Sequence, residues 1–257
     1  MLLDDYVTSC IETSDLKTER SLSLSTDLKS AILGAIKCTI DTRREHGFSI
    51  NRKHNKKSCL EAGELCSGTE NSLRVVSDYA VGIDSPIFSE PKHIGQFHTH
   101  PVVSRGYGPF SPSDNETLWS RDKKNLLTDH PLYIDMVWSQ RELILYLIIL
   151  RGKAKYQTLS PSSYLRLIDK EANESGDVVS PYYRYSFLPN NVYMIHKMTA
   201  SASFFASTHR GAYFRAYKQH VISSNYDFYM ASVAGSTDPG VHNRFDEFFL
   251  VVPPAYA

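Results

Sequence analysis

Gly95-Gln96-Phe97-His98-Thr99-His100-Pro101, followed by residues 102–110 and then by Ser111-Pro112-Ser113-Asp114, predicts a strand, a loop and a helix start that carry two histidines, a serine and an aspartate. On a β-strand successive side chains alternate faces, so His98 and His100 point the same way with Cα atoms about 6.5–7 Å apart. Two imidazoles so placed can converge on one ion. Zinc takes neutral imidazole nitrogen at about 2.0–2.1 Å, and a hydrolytic site needs three protein ligands with a fourth position left to water. Ser111 is a capping hydroxyl, Pro112 suits the first helical position, and Asp114 is an acid in the first turn, which together predict a helix running to about residue 126. A loop returning to a helix start can place that first-turn carboxylate over the strand end, so Asp114 is the candidate third ligand. Taken singly, an H-x-H is an ordinary pair of histidines on a strand face, and Ser111 with Asp114 is a cap worth about 1 kcal/mol. Joined in one strand-loop-helix unit, they point to a metal site.

Upstream, Leu28, Ile32, Ile36 and Ile40 recur every four residues behind Ser25 or Thr26, which predicts an amphipathic helix of about 15 residues. Residues 1–25 lack a clear period and read as an N-terminal arm, either a short edge strand or a loosely docked segment. Arg43, Arg44, Arg52, Lys53, Lys56 and Lys57 read as a basic, solvated connector. Segments 58–66, 73–76 and 94–98 are short, β-branched or alternating, and bounded by Gly or Asp-Ser-Pro, as strands are. Downstream, 132–138 and 143–150 predict a hairpin whose second strand, apolar on both faces, belongs at the centre of a sheet. The region 26–155 thus reads as a small α/β (α+β) domain with two flanking helices. Beyond it, 156–257 holds 11 of the 16 tyrosines and 8 of the 12 phenylalanines, an aromatic-rich extension or second domain with a predicted helix at 161–174. His209, Arg210, Tyr213, Phe214, Arg215, Tyr217, Lys218 and His220 interleave bases with aromatics there, and aromatic packing with cations at the rim accounts for them better than stacking on a single strand.

Lys plus Arg equals Asp plus Glu at 28 each, so no net field exists to hold a polyanion or an anionic membrane, and no nucleic-acid partner is expected. The longest apolar run, residues 143–150, is far short of the roughly 20 residues that span a bilayer as a helix. No basic, apolar leader opens the chain, and Cys10, Cys38, Cys59 and Cys66 contain no C-x-x-C pair, which places the expected location in the reducing cytoplasm.

The H-x-H-P and S-x-x-D elements resemble the JAMM/MPN metalloprotease family, in which an upstream glutamate completes the motif. The resemblance covers roughly residues 26–150 and adds the order helix, strands, metal strand, helix, hairpin. It implies a cytidine-deaminase-like JAB/MPN mixed sheet flanked by helices. It also implies one Zn2+ per chain on His98, His100 and Asp114, with Ser111 hydrogen-bonding the bound water or the oxyanion. The loop from Pro101 to residue 110 is longer than the family's commonest spacing, whereas the short spacing from Glu61 to His98 and the lack of a readable helix between residues 76 and 94 resemble the compact, prokaryotic-type branch. The chemistry needs a proton acceptor that is not a ligand. Glu61, in Cys59-Leu60-Glu61-Ala62-Gly63, resembles the family's glutamate strand and is the first candidate; Glu64, out of alternation and on the opposite face, is its rival.

The function so implied is zinc-dependent hydrolysis of a peptide or isopeptide bond, with a ubiquitin-like or other small protein as substrate class. Two other readings stand beside it. One is a JAMM-like binding or scaffold module without turnover. The other is a barrel-type metal-dependent phosphoesterase, which wants its H-x-H on a first strand and later His/Asp clusters that this sequence lacks.

Overall fold

The computed structural model describes residues 1–12, 19–52, 60–69, 73, 93–101, 114, 132–140, 143–151, 163, 166, 183–187, 193–197, 227–233 and 248–252. The elements are α1 (Leu3–Glu12), β1 (Ser21–Leu22), α2 (Thr26–Thr42), β2 (His46–Arg52), β3 (Leu60–Ala62), β4 (Cys66–Ser67) and β5 (His93–His100). They continue with β6 (Leu132–Ser139), β7 (Ile144–Arg151), β8 (Tyr183–Phe187), β9 (Tyr193–Lys197), β10 (Asp227–Ser232) and β11 (Phe248–Val252). Nine strands form one sheet in the order β1-β11-β10-β7-β6-β5-β2-β3, with β4 also on β2, while β8 and β9 pair separately. The sheet is mixed: β5 and β6 run parallel, and the other pairs are antiparallel. Among the described residues two helices, α1 and α2, flank this mixed sheet, an α+β arrangement.

The strongest apolar segments take the middle of the sheet. β6 is buried throughout, and Leu145 to Ile149 of β7 are buried on both faces between β6 and β10. Trp138 is fully buried and its indole N–H donates to the Val233 carbonyl at 3.2 Å, which answers the one polar atom of a large apolar ring. On one face lies α2, with Leu28, Ile32, Ala35, Ile36 and Thr39 turned inward. Each of its Leu and Ile side chains contributes about 1.5–3 kcal/mol by leaving water. The helix ends at Arg43, which takes a left-handed conformation (φ 57°) and donates its backbone N–H to the Thr39 carbonyl.

Three expectations are corrected. The N-terminal arm is a docked helix: Leu3, Tyr6, Val7 and Cys10, spaced for one helical face, are all buried, the Leu60 N–H donates to Asp4 Oδ1 at 2.7 Å, and the Tyr6 hydroxyl donates to Asp227 Oδ2 at 3.2 Å. The short edge strand of that segment is β1, paired with β11. The basic connector holds a strand, β2, buried from His46 to Asn51, because the apolar positions Phe48 and Ile50 between the arginines face α2. Finally, the sheet crosses residue 155, since β10 and β11 extend it beyond β7. The expected 58–66 strand is two short strands, β3 and β4, broken at Gly63, whose N–H donates to the Ser49 carbonyl. The predicted helices at 111–126 and 161–174 lie outside the described residues except for Asp114, Ser163 and Arg166, which are helical. The 73–76 strand, apart from Leu73, and the 209–220 stretch also lie outside them.

Candidate metal centre

β5 carries the site because it is flanked by strands on both sides and cannot bend out of line. It pairs with β2 from Gly47↔His98 to Asn51↔His93 and with β6 as far as His100↔Ser139. His98 and His100 are 5% and 4% exposed, on the face opposite α2. Their Nε2 atoms lie 3.2 Å apart. Asp114 brings Oδ1 to 3.2 Å from His98 Nε2 and Oδ2 to 3.4 Å from His100 Nε2. The ligand-type atoms of the three residues all lie within 4.8 Å of one another, and together they could hold a metal ion.

The spacing is compatible with a bound metal ion: the two Nε2 atoms lie 3.2 Å apart, and each faces a different oxygen of Asp114, at 3.2 and 3.4 Å. The donor set, two imidazole nitrogens and one carboxylate, leaves a fourth position open. His100 Nδ1 is buried without a hydrogen-bond partner among the described residues, so it is the Nε2 side of this ring that is engaged.

Electrostatics ties a fourth residue to the group. Glu45, 7% exposed, immediately precedes β2. The β2–β5 ladder ends at Gly47↔His98, two residues on from it, and Glu45 lies within the field of both His100 and His98. Its backbone is clamped on the other side, the N–H donating to the Thr69 carbonyl and the carbonyl accepting from Gly68 N–H, both at 2.8 Å. Burial raises its pKa above the ordinary 4.5, and the fields of His100 and His98 counter that only in part, with Asp114 adding to the rise. Burial by itself would lower His98, but the Asp114 carboxylate outweighs it, with Asp135 and Glu45 adding, so its pKa is raised from 6.5 to about 9. Asp114 is pulled the other way: burial raises it, yet His98 and His100 hold its carboxyl well below 3.8. Asp135, on β6 and fully buried, sits beside Gln96 in the parallel register and accepts its Nε2–H at 3.2 Å.

Glu61 is not part of this group. It lies on β3, opposite Asn51 of β2, whereas His98 lies on the other side of β2 opposite Gly47. Four residues along and two strands across is about 16 Å. Glu64 is exposed in the break between β3 and β4. The correction has a physical cause: both strands pair with the outer side of β2, so a glutamate on either is separated from β5 by a strand. Glu45 and Asp135 are the carboxylates that sequence reading missed. The signal for Glu45 was Glu45-His46-Gly47-Phe48, an acid leading into a buried strand with a glycine two positions on. That glycine is required, because a Cβ at Gly47 would overlap the Phe97 carbonyl oxygen and reach 3.0 Å from His98 Cα. Ser111 lies outside the described residues. The chain matches no protein-family model and no curated protein.

Proposed function

We propose that the chain is a JAMM/MPN-type, zinc-dependent hydrolase of peptide or isopeptide bonds, binding one Zn2+ through His98, His100 and Asp114. The observation that carries this reading is the convergence of His98, His100 and Asp114, with ligand atoms within 4.8 Å of one another, beside the buried carboxyl of Glu45. The order of elements around it, α2, the glutamate at the head of β2 and then the metal strand β5, supports a JAB-like fold. When bound, zinc acidifies a water molecule and polarises the scissile carbonyl.

The chain's own residues do the remainder. Glu45 receives a proton at its carboxylate and delivers it to the leaving amine, a task suited to a carboxyl whose pKa burial has raised. Ser111 is assigned the oxyanion, as a hydroxyl donor. The substrate class is a protein or peptide carrying an amide linkage, with a ubiquitin-like C-terminus as the first class to assay. A nucleic-acid partner is not proposed, given the balanced charge. Among the described residues no helix is long and apolar enough to cross a membrane. Cys10, Cys38 and Cys66 are thiols, which favours the cytoplasm as the location.

Metal analysis by plasma mass spectrometry should find about one zinc per wild-type chain and almost none in His98→Ala or His100→Ala. Glu45→Gln should keep the metal and lose at least about a hundredfold in turnover of ubiquitin-like fusion substrates, while Glu61→Gln turns over as wild type. A protein that takes up no zinc on reconstitution would overturn the hydrolase reading in favour of a binding module.

A further inference from the structure

At the mouth of the site the β2–β5 ladder stops one step early. The last pair there is Gly47↔His98, although β5 stays paired with β6 through His100 and β2 stays paired with β4 through His46↔Ser67. His46 and Thr99 would form the next pair, of the type in which both backbones exchange N–H and C=O. Instead the Thr99 side chain takes both of His46's backbone groups: His46 N–H donates to Thr99 Oγ1 at 2.9 Å, and that hydroxyl donates to the His46 carbonyl at 3.1 Å. The oxygen is buttressed from α2 by the Thr39 hydroxyl at 2.6 Å, and Thr39 is itself in contact with His46 Nδ1 at 3.2 Å. All three residues are buried.

A side-chain hydroxyl interposed where two backbones would otherwise bond directly forces the strands apart at that step. The residues affected are Glu45 and His100, next along β2 and β5. In an unbroken ladder their Cα atoms would stand about 4.5–5.5 Å apart, so where the ladder ends sets the spacing between the Glu45 and His100 side chains. We propose that Thr99, seated on Thr39, is a positioning residue that splits β2 from β5 at the mouth of the site and so sets the Glu45 carboxylate at its working distance from the histidines. This inference rests on the reading of Glu45 given above and adds to it the device that fixes its position. Thr99 lies on the α2 side of β5 and touches neither metal nor substrate.

The test compares full-length wild type with Thr99→Val, which keeps the shape and removes the hydroxyl, and with Thr99→Ser, which keeps the hydroxyl. Amide hydrogen exchange of the metal-free protein reads whether Thr99 Oγ1 is the acceptor that holds the His46 N–H in place of a backbone carbonyl. His46 N–H should exchange at least tenfold faster in Thr99→Val, with Phe48 and Ile50 unchanged, and within about twofold of wild type in Thr99→Ser. The visible absorption of the Co2+-loaded protein reads Glu45 without any turnover: Thr99→Val should take on the spectrum of Glu45→Gln, and Thr99→Ser that of wild type. Wild-type His46 protection together with a wild-type cobalt spectrum in Thr99→Val would overturn the inference. Should that variant not fold, Thr39→Val withdraws the buttress from the helix side, and wild-type values of both signals there would overturn it equally. If cobalt does not bind, or if Glu45→Gln leaves its spectrum unchanged, it is the hydrolase reading that fails, and His46 exchange still decides the role of Thr99.

Discussion

A carboxylate in the middle of an apolar strand costs several kcal/mol unless donors or opposite charge answer it. Asp135, between Ile134 and Met136 and fully buried, is answered by Gln96 and by the field it shares with His98. That field makes the imidazole more basic, which strengthens it as a ligand. Asp135→Asn preserves volume and removes the charge, so zinc affinity measured against a chromogenic chelator should fall about tenfold; an unchanged affinity would show that the field does not reach His98. The comparison between Glu45 and Glu61 makes the same point about context. Both are glutamates near a glycine and apolar neighbours, and only the strand to which each belongs separates a buried acid in the field of two histidines from a half-buried one about 16 Å away. His98, His100 and Asp114 were legible because their types and spacing are themselves the chemistry. Glu45 was not, because a single glutamate acquires meaning from pairing that joins residues 46–50 to 95–98.

At the scale of the element, legibility followed hydrophobic content. β6, β7 and α2 could be read from long apolar runs or a four-residue stripe, and they occupy the positions expected of them. β2 was hidden because arginines flank it at 43, 44 and 52, although what lies between is as buried as any strand in the sheet. α1 was missed because its buried stripe is only four residues long and part of its docking is polar, through Asp4 and Tyr6. The join from α2 to β2 carries a conformational cost that can be removed. Arg43 holds a left-handed φ of 57° at the position that glycine commonly fills after a helix, and a non-glycine residue there costs roughly 1 kcal/mol. Its side chain is exposed. Arg43→Gly should therefore stabilise the protein by about 0.5–1 kcal/mol, a rise in Tm of roughly 1–4 °C for a chain of this size. A fall in Tm would mean that the arginine side chain contributes more than its backbone costs.

Over the whole molecule, one edge of the sheet is β1 paired with β11, and the candidate metal centre lies toward the other edge, on β5 between β2 and β6. Gathering two buried histidines, the buried Glu45 and the partly buried Asp114 there ties folding to pH. His98 has its folded pKa raised from 6.5 to about 9, so its contribution to the metal-free fold is complete below about 6.5 and lost as pH rises through 9. Glu45, also raised, acts in the same direction: the unfolded carboxyl ionises above about 4.5 while the folded one still holds its proton, so stability again declines with rising pH. Asp114, held low, contributes above 3.8 and loses that contribution only in acid. Metal binding reverses the trend, because zinc requires His98 neutral and must displace its proton. Below pH 9 the apparent affinity should then rise about tenfold per pH unit, and at fixed free zinc the stabilisation by about 1.4 kcal/mol per unit. Melting curves between pH 6 and 9 should show the metal-free Tm falling while the gap to the zinc-loaded protein widens by roughly 3–6 °C per unit. His98→Ala should abolish that gap at every pH. A gap in the wild type that stayed constant across this range would place the displaced proton on some group other than His98, and the charge distribution derived for the metal-free site would have to be redrawn.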